Sequence, residues 1–492
     1  MARTKGSEDL YQLIHSLTAE EKGYFKKFAK RHTAQGKKYL ELFDAVNAQK
    51  EFEEALLKKK FKGYADMKIY LRHLITDALT LYMSHPENPV IHLAMLLSRA
   101  AILERKGLTK LAIQEIKKAM VLAQQNDQPF FEHWFASRYR NLQTLSMAAN
   151  EKYLYEQKMN DKLTRLLQIQ ISNDRFVFER KKMTALFLKN LRQADVAISE
   201  KDIDFEYFNN ANNALSDFAK KYRFNGLVEY YHHLKQTDKE YKTAMEYLKF
   251  SKLQFEKSKD NAAAYSNALM FAGRACAGLK KTKDAEQYYT EMLHLKTANG
   301  RFNKTVITAY VRYMFMLYIE NNLFAEGKVF LDKALLLYPS AFANEKQNFY
   351  YDTNVVSGAL IRFAVKDYRG LVATLNQFDK KIIQLRSPVY LRDAELMRLM
   401  IQVELKNYEL LPALLKSAIA KLKKMKMYGD YERTLMRFFI QVNENNLRKT
   451  AREYFELLKN PDTSKFSNRL TNLLFGDYAI ENWFKNLAEG KR

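Results

Sequence analysis

The polar and apolar positions of this chain follow a helical rhythm almost from end to end. Between residues 108 and 124, Leu111, Ala112, Ile116, Ala119 and Met120 share one side of a helical net. Lys110, Gln114, Lys117 and Lys118 fall mostly on the other, which is the i, i+3/i+4, i+7 spacing of an amphipathic helix. Gly107, just before them, suits the positive φ that ends a helix. The same arrangement of helix, short turn and helix returns along the chain. Glu320-Asn321-Asn322-Leu323 recurs as Glu444-Asn445-Asn446-Leu447, 124 residues later, close to three steps of about 41. Lys366-Asp367-Tyr368-Arg369 and Lys406-Asn407-Tyr408-Glu409 occupy the intermediate places. The pattern predicts an all-α array of helical hairpins.

Residues 1–88 depart from that period. Thr18-Ala19-Glu20-Glu21 is a capping box, with the hydroxyl on a first-turn amide and Glu21 reaching back. The helix it opens places Tyr24, Phe25 and Phe28 inward. Lys22, Lys26, Lys27, Lys30 and Arg31 lie mainly outward, and from Lys22 to Lys38 there are seven Lys/Arg and no acid. Further helices are predicted over Lys38–Ala48, Phe52–Phe61 and Asp66–Met83, with Lys62-Gly63-Tyr64-Ala65 as a turn. His85-Pro86-Glu87-Asn88-Pro89 marks a domain boundary, because each proline pushes the residue before it out of helical geometry. Residues 130–225 predict long, aromatic-rich helices whose rings fill the spaces between them, with helix, turn and helix over Ala194–Asn225. Trp483 and Phe484 sit in a predicted closing helix, Tyr478 to Leu487, ahead of a polar Glu489-Gly490-Lys491-Arg492 tail.

Several units carry one frame. Ala100, Gly107, Ala112, Ile116 and Ala119 fit it; so do Gly273, Ala285, Tyr289 and Met292, and again Gly327, Leu331, Ala334 and Pro339. Leu411, Leu415 and Ala418 keep part of it, and Ala451 and Phe455 less. In these residues the chain resembles the tetratricopeptide repeat family, with a small residue in helix A, another early in helix B, a bulky one four later and alanine three beyond. Met292, Phe315 and Leu458 depart from that frame. Anchors at 244, 285, 327, 371, 411 and 451 give steps of 41, 42, 44, 40 and 40, against about 34 in the family. The resemblance implies an α-α superhelix, a right-handed TPR-like solenoid with a period of about 40 residues. The expected organisation is a small basic helical domain (1–88), the repeat array (89–462) and C-terminal capping helices (463–492).

Composition narrows the remaining classes. Only 7 Pro and 15 Gly in 492 residues suit long helices and short turns, and 47% apolar residues suffice for burial. The net charge is +25, of which residues 1–90 carry only +4, with 16 Lys/Arg against 12 Asp/Glu. Such a spread reads as a generally basic surface that favours acidic partners. One cysteine, Cys276, precludes an intrachain disulfide, and no signal-peptide core or spanning run of ~18–20 apolar residues is present. A soluble, cytoplasmic protein is expected.

Catalytic and metal motifs are missing. His232 and His233 are adjacent and point about 100° apart on a helix, with no His-x-x-x-His flanked by Glu. Gly273–Lys280 echoes a phosphate-binding loop, but Leu279 intervenes before Lys280 and no Ser or Thr follows. Cys276 falls inside a repeat helix without an evident base. The basic run Lys416–Lys426 reads as the solvated face of an amphipathic helix. No enzyme, cofactor or metal is expected.

The expected function is a non-catalytic scaffold whose A helices receive a peptide or helix of a partner protein. Arg274, Arg312, Tyr313, Arg362 and Arg398 are the candidate contacts, since arginine grips carboxylates bidentately. The alternative is a DNA-associated regulator with an N-terminal helix-turn-helix-like domain and a TPR-like sensor or oligomerisation domain. Lys26, Lys27, Lys30, Arg31, Lys68 and Arg72 would then meet nucleic acid.

Overall fold

The computed structural model describes residues 8–32, 36–85, 88–144, 147–192, 203–295, 297, 300–343, 350–380, 388–424, 428–459 and 480–490. The boundary residues Pro86 and Glu87, the start of the predicted 194–225 hairpin, the first part of the capping segment and the last two residues lie outside them. Every regular element among the described residues is a helix. The chain divides into two compact units, Met1–Ser172 and Asn173–Arg492.

The first unit opens with α1 (Asp9–Ser16), α2 (Ala19–His32), α3 (Gly36–Asn47), α4 (Glu54–Lys60) and α5 (Tyr64–Tyr82). The capping box forms as predicted. The Glu21 amide donates to Thr18 Oγ1 at 3.2 Å and the Thr18 amide to Glu21 Oε2 at 2.7 Å. Phe25, Phe43, Leu42, Leu71 and Ile75 are fully buried in one core that runs from Leu10 to Ala78. Gly63, at φ 73°, makes the turn from α4 into α5.

The unit continues with α6 (Pro89–Arg105), α7 (Thr109–Gln125), α8 (Pro129–Gln143) and the start of α9 (Ala149–Arg192). The stripe that α7 buries is Ala112, Ile116, Ala119 and Ala123. Leu111, expected on that face, is 48% exposed. It lies one residue, hence about 100°, from the centre of the stripe and turns to solvent. The aromatics of α8 divide in the same way, with Phe135 fully buried and Phe130 exposed.

The second unit comprises the rest of α9 and α10 (Phe205–Asn209), then α11 (Asp217–His233), α12 (Thr237–Lys257), α13 (Ala262–Gly278), α14 (Thr282–His294), α15 (Gly300–Glu320) and α16 (Phe324–Leu337). It continues with α17 (Tyr351–Ala364), α18 (Tyr368–Lys380), α19 (Pro388–Glu404), α20 (Leu411–Lys424), α21 (Asp430–Gln441), α22 (Leu447–Lys459) and α23 (Ile480–Glu489). From α11 to α22 each helix packs on the next, and α13, α15, α17 and α19 also pack on one another. This is the contact pattern of an α-helical solenoid with an inner row of odd-numbered helices.

One turn chemistry recurs. Lys235, Lys280, Asn322, Lys366 and Lys406 each take φ of 55–61°. In each case the next amide bonds back across the helix end. Gln236 reaches Tyr231, Lys281 reaches Cys276, Leu323 reaches Tyr318, Asp367 reaches Arg362 and Asn407 reaches Gln402, all at 2.8–2.9 Å. These are Schellman caps with a lysine or asparagine where glycine is usual. The two Glu-Asn-Asn-Leu copies, by contrast, do not mark equivalent turns. Leu323 precedes its helix whereas Leu447 opens its own, and the second turn is held by Asn443 Oδ1, which accepts from the Asn445 and Asn446 amides.

The inner helices are buried on nearly all sides. Along α17, Tyr351 to Ile361 are all buried, polar residues included. Asn354 donates to the Thr308 and Ala341 carbonyls at 3.3 and 3.1 Å, and Thr353 donates to the Tyr390 hydroxyl at 2.8 Å. Gly273 is needed for close approach, since a Cβ there would enter the Tyr289 ring. The outer helices are amphipathic, and Ala244, Ala285, Gly327, Leu371, Leu411 and Ala451 are all buried. At the C-terminal end Trp483 and Phe484 of α23 pack on Phe438. The Trp483 indole donates to Glu404 at 2.7 Å.

Candidate functional site

The candidate arginines lie on the inner helices, and their surroundings separate them into two kinds. Arg274, on α13, is buried. Its Nε donates to Glu240 at 2.9 Å and its Nη1 to Glu229 at 3.3 Å, beneath a cation–π contact with Phe271 at 5.0 Å. Burial pushes both carboxyls upward. Arg274 and His232 outweigh it, joined by His233 at Glu229, so both stay below the usual carboxylate range. His232 Nδ1 meets Glu240 at 3.1 Å. Burial takes His233 down to about 4, helped by His232 and Arg274 and opposed by Glu229. Glu320, at the end of α15, is driven upward by burial despite His232, Arg274 and Lys280 nearby.

Arg362 and Arg398 are likewise engaged by their own chain. Arg362 Nη1 donates to Asp367 at 2.7 Å and closes the α17–α18 turn. Arg398 Nη2 donates to the Leu375 carbonyl at 2.7 Å, with Glu395 at 3.6 Å from its Nε.

Arg312 differs. No described carboxylate is within ion-pair distance, and its guanidinium lies over the rings of Tyr350 at 4.9 Å and Tyr313 at 5.5 Å. Burial opposes its charge, but Tyr313, Tyr390 and Tyr350 sustain it and Arg274 repels it; the net is a raised pKa. Tyr313, predicted beside it, is buried and stacks on Tyr289 at 5.6 Å. Burial pushes its hydroxyl up to about 12, so it stays a neutral donor.

Arg312 Nε and Arg274 Nη2 are both buried, and among the described residues neither has a hydrogen-bond partner. Leaving a buried donor unmet costs about 1–3 kcal/mol, and native interiors rarely leave one without a reason. The two guanidiniums are near enough to repel, and Tyr313 senses both. An anionic group beside the two guanidiniums would relieve the repulsion.

Sequence reasoning missed Tyr350 and Tyr390, which surround Arg312, because they lie on other helical segments with nothing local to link them. It also missed Arg392, Asp393 and Glu395, buried at 2%, 0% and 3% exposure on α19. Arg392 donates to Asp393 at 2.9 Å, and Lys421 reaches Glu395 at 2.7 Å. The signal was available as Arg392-Asp393-Ala394-Glu395, three charges within four residues of a helix rich in Leu and Met. These charges neutralise one another within the row.

In the first unit, Lys26 pairs with Asp44 at 2.7 Å and Lys68 lies 4.0 Å from Glu54. Lys27, Lys30, Arg31 and Arg72 are exposed. Among the described residues no group of His, Cys, Asp and Glu is placed to hold a metal, and no helix is long and apolar enough to cross a membrane. No protein-family model, curated protein or solved structure matches this chain, so the reading of the site rests on its own chemistry.

Proposed function

We propose that this chain is a non-catalytic interaction protein, a TPR-like solenoid whose second unit holds an acidic peptide or helix of a partner protein on its inner helices. The observation that carries this is the Arg312 guanidinium on an inner helix, with no described carboxylate within ion-pair distance and set among Tyr313, Tyr350 and Tyr390. Buried anchors near the predicted period and left-handed turns 40–45 residues apart support the repeat reading. A partner carboxylate would make charge-assisted bonds worth roughly 1.5–3 kcal/mol each, and the tyrosines supply stiff contact area around it.

The test is capture from native lysate with tagged full-length protein, nuclease-treated, at about physiological salt, comparing wild type with Arg312→Met. A specific protein held by the wild type and lost by the variant supports the reading. Equal capture by both removes Arg312 from it.

The second reading is DNA association through the first unit. It is favoured by exposed Lys27, Lys30 and Arg31 on one helix and by the α4–Gly63–α5 turn. It predicts duplex binding whose affinity falls steeply with salt. Capture that collapses on nuclease treatment would select it.

A further inference from the structure

The first unit contains a cavity of about 440 Å³ lined by residues of α1, α4 and α5, among them Leu10, Glu54, Lys58, Tyr64, Lys68 and Arg72, with Ala65 and Ile69 completing an apolar wall. A bulk water occupies about 30 Å³, so the space suits an organic molecule, and it falls within the range of known ligand sites. Asp9 also lines it, so its wall carries two carboxylates, Asp9 and Glu54, against the three cations Lys58, Lys68 and Arg72. Glu54 is shared by Lys58 at 3.1 Å and Lys68 at 4.0 Å. Arg72 meets no described carboxylate. Ile69, on the same wall, is 51% exposed, a large apolar side chain left half in water. The buried Tyr64 hydroxyl also has no hydrogen-bond partner among the described residues.

We infer that this cavity binds a small amphipathic anion, a carboxylate on an unbranched or aromatic body. Arg72 takes the carboxylate in a bidentate fork, and the chain lies against Leu10, Ala65, Ile69 and the Tyr64 ring. Neutral molecules of the same shape lose the fork. The inference does not rest on the partner-binding reading, because the cavity is confined to the first unit.

The test is calorimetric titration of full-length protein with octanoate, and with octanamide as its neutral counterpart. Four proteins are compared: wild type, Arg72→Gln, Ala65→Trp and Arg312→Met. Both altered residues of the cavity wall are exposed, and thermal melts confirm folding. Octanoate should bind the wild type at least tenfold more tightly than octanamide. That preference should vanish in Arg72→Gln, both ligands should be lost in Ala65→Trp, and Arg312→Met should behave as wild type. The inference is overturned if octanoate fails to bind the wild type at millimolar concentration. Binding indifferent to both cavity variants also overturns it, as does a loss that follows Arg312→Met.

Discussion

Arg274 and Arg312 occupy neighbouring inner helices, yet their removal should have very unequal consequences. Arg274→Met strands Glu240, whose side chain is 6% exposed, and Glu229 at 30%. Removing one partner of a buried pair costs about 3–5 kcal/mol, because the remaining charge is buried and uncompensated. The half-open Glu229 and the adjacent histidines place the expected value near the lower end, about 3 kcal/mol. Arg312→Met strands no carboxylate. It loses cation–π attraction of roughly 0.5–2 kcal/mol and regains about 1–3 kcal/mol from a buried donor that had no partner. The methionine keeps most of the stem's packing. The net should lie between about 1 kcal/mol of loss and about 2.5 kcal/mol of gain. Urea unfolding followed by far-ultraviolet circular dichroism measures both. With an m-value of about 3 kcal/mol/M, Arg274→Met should lower the midpoint by about 1 M and leave the slope unchanged. Arg312→Met should lower it by no more than about 0.3 M. If Arg312→Met falls as far as Arg274→Met, Arg312 is a structural residue and the site argument fails.

Three further outcomes are expected. Lys366→Gly should stabilise the second unit by up to about 1 kcal/mol in urea titrations, since a left-handed residue gains from losing its Cβ; a loss would show that the lysine side chain contributes. Acid should weaken this unit in two stages. His233 is held neutral, so its contribution is complete above 6.5 and is lost as pH falls toward about 4. Glu229 and Glu240, held low, lose theirs below about 4.5, while Glu320, held high, runs the other way. His233→Gln should flatten the urea midpoint between pH 6.5 and 4, and an unchanged profile would remove His233 as the cause. Cys276 is buried and its thiol is pushed up to about 11 by burial and Asp284. Iodoacetamide should therefore label it only in denaturant, and rapid labelling of native protein would mean that α13 opens.

The helices were legible because each outer helix has one wet and one dry face, as in α14 and α20. The turns were legible at Lys366 and Lys406, where polar residues interrupt the apolar rhythm. The literal tetrapeptide repeat misled, because Asn322 works through its left-handed backbone and Asn443 to Asn446 through side-chain bonds to amides. The inner helices were the hardest to read. Buried all round, α17 and α19 mix polar and apolar residues without a 3.6-residue rhythm, so neither the Asn354 bonds nor the Arg392–Asp393 pair follows from periodicity. Arginine positions on the inner row were visible in the sequence. Which of them is already paired was not, because Glu229 and Glu240 reach Arg274 from other helices.

The central claim is that partner protein contacts the surroundings of Arg312. The most direct measurement places a photo-crosslinking phenylalanine analogue at Tyr350 and, separately, at Lys27, and irradiates intact cells. The account predicts a discrete protein adduct from position 350 that disappears when Arg312→Met is added. No protein adduct at 350, together with a nucleic-acid adduct at 27, would contradict it.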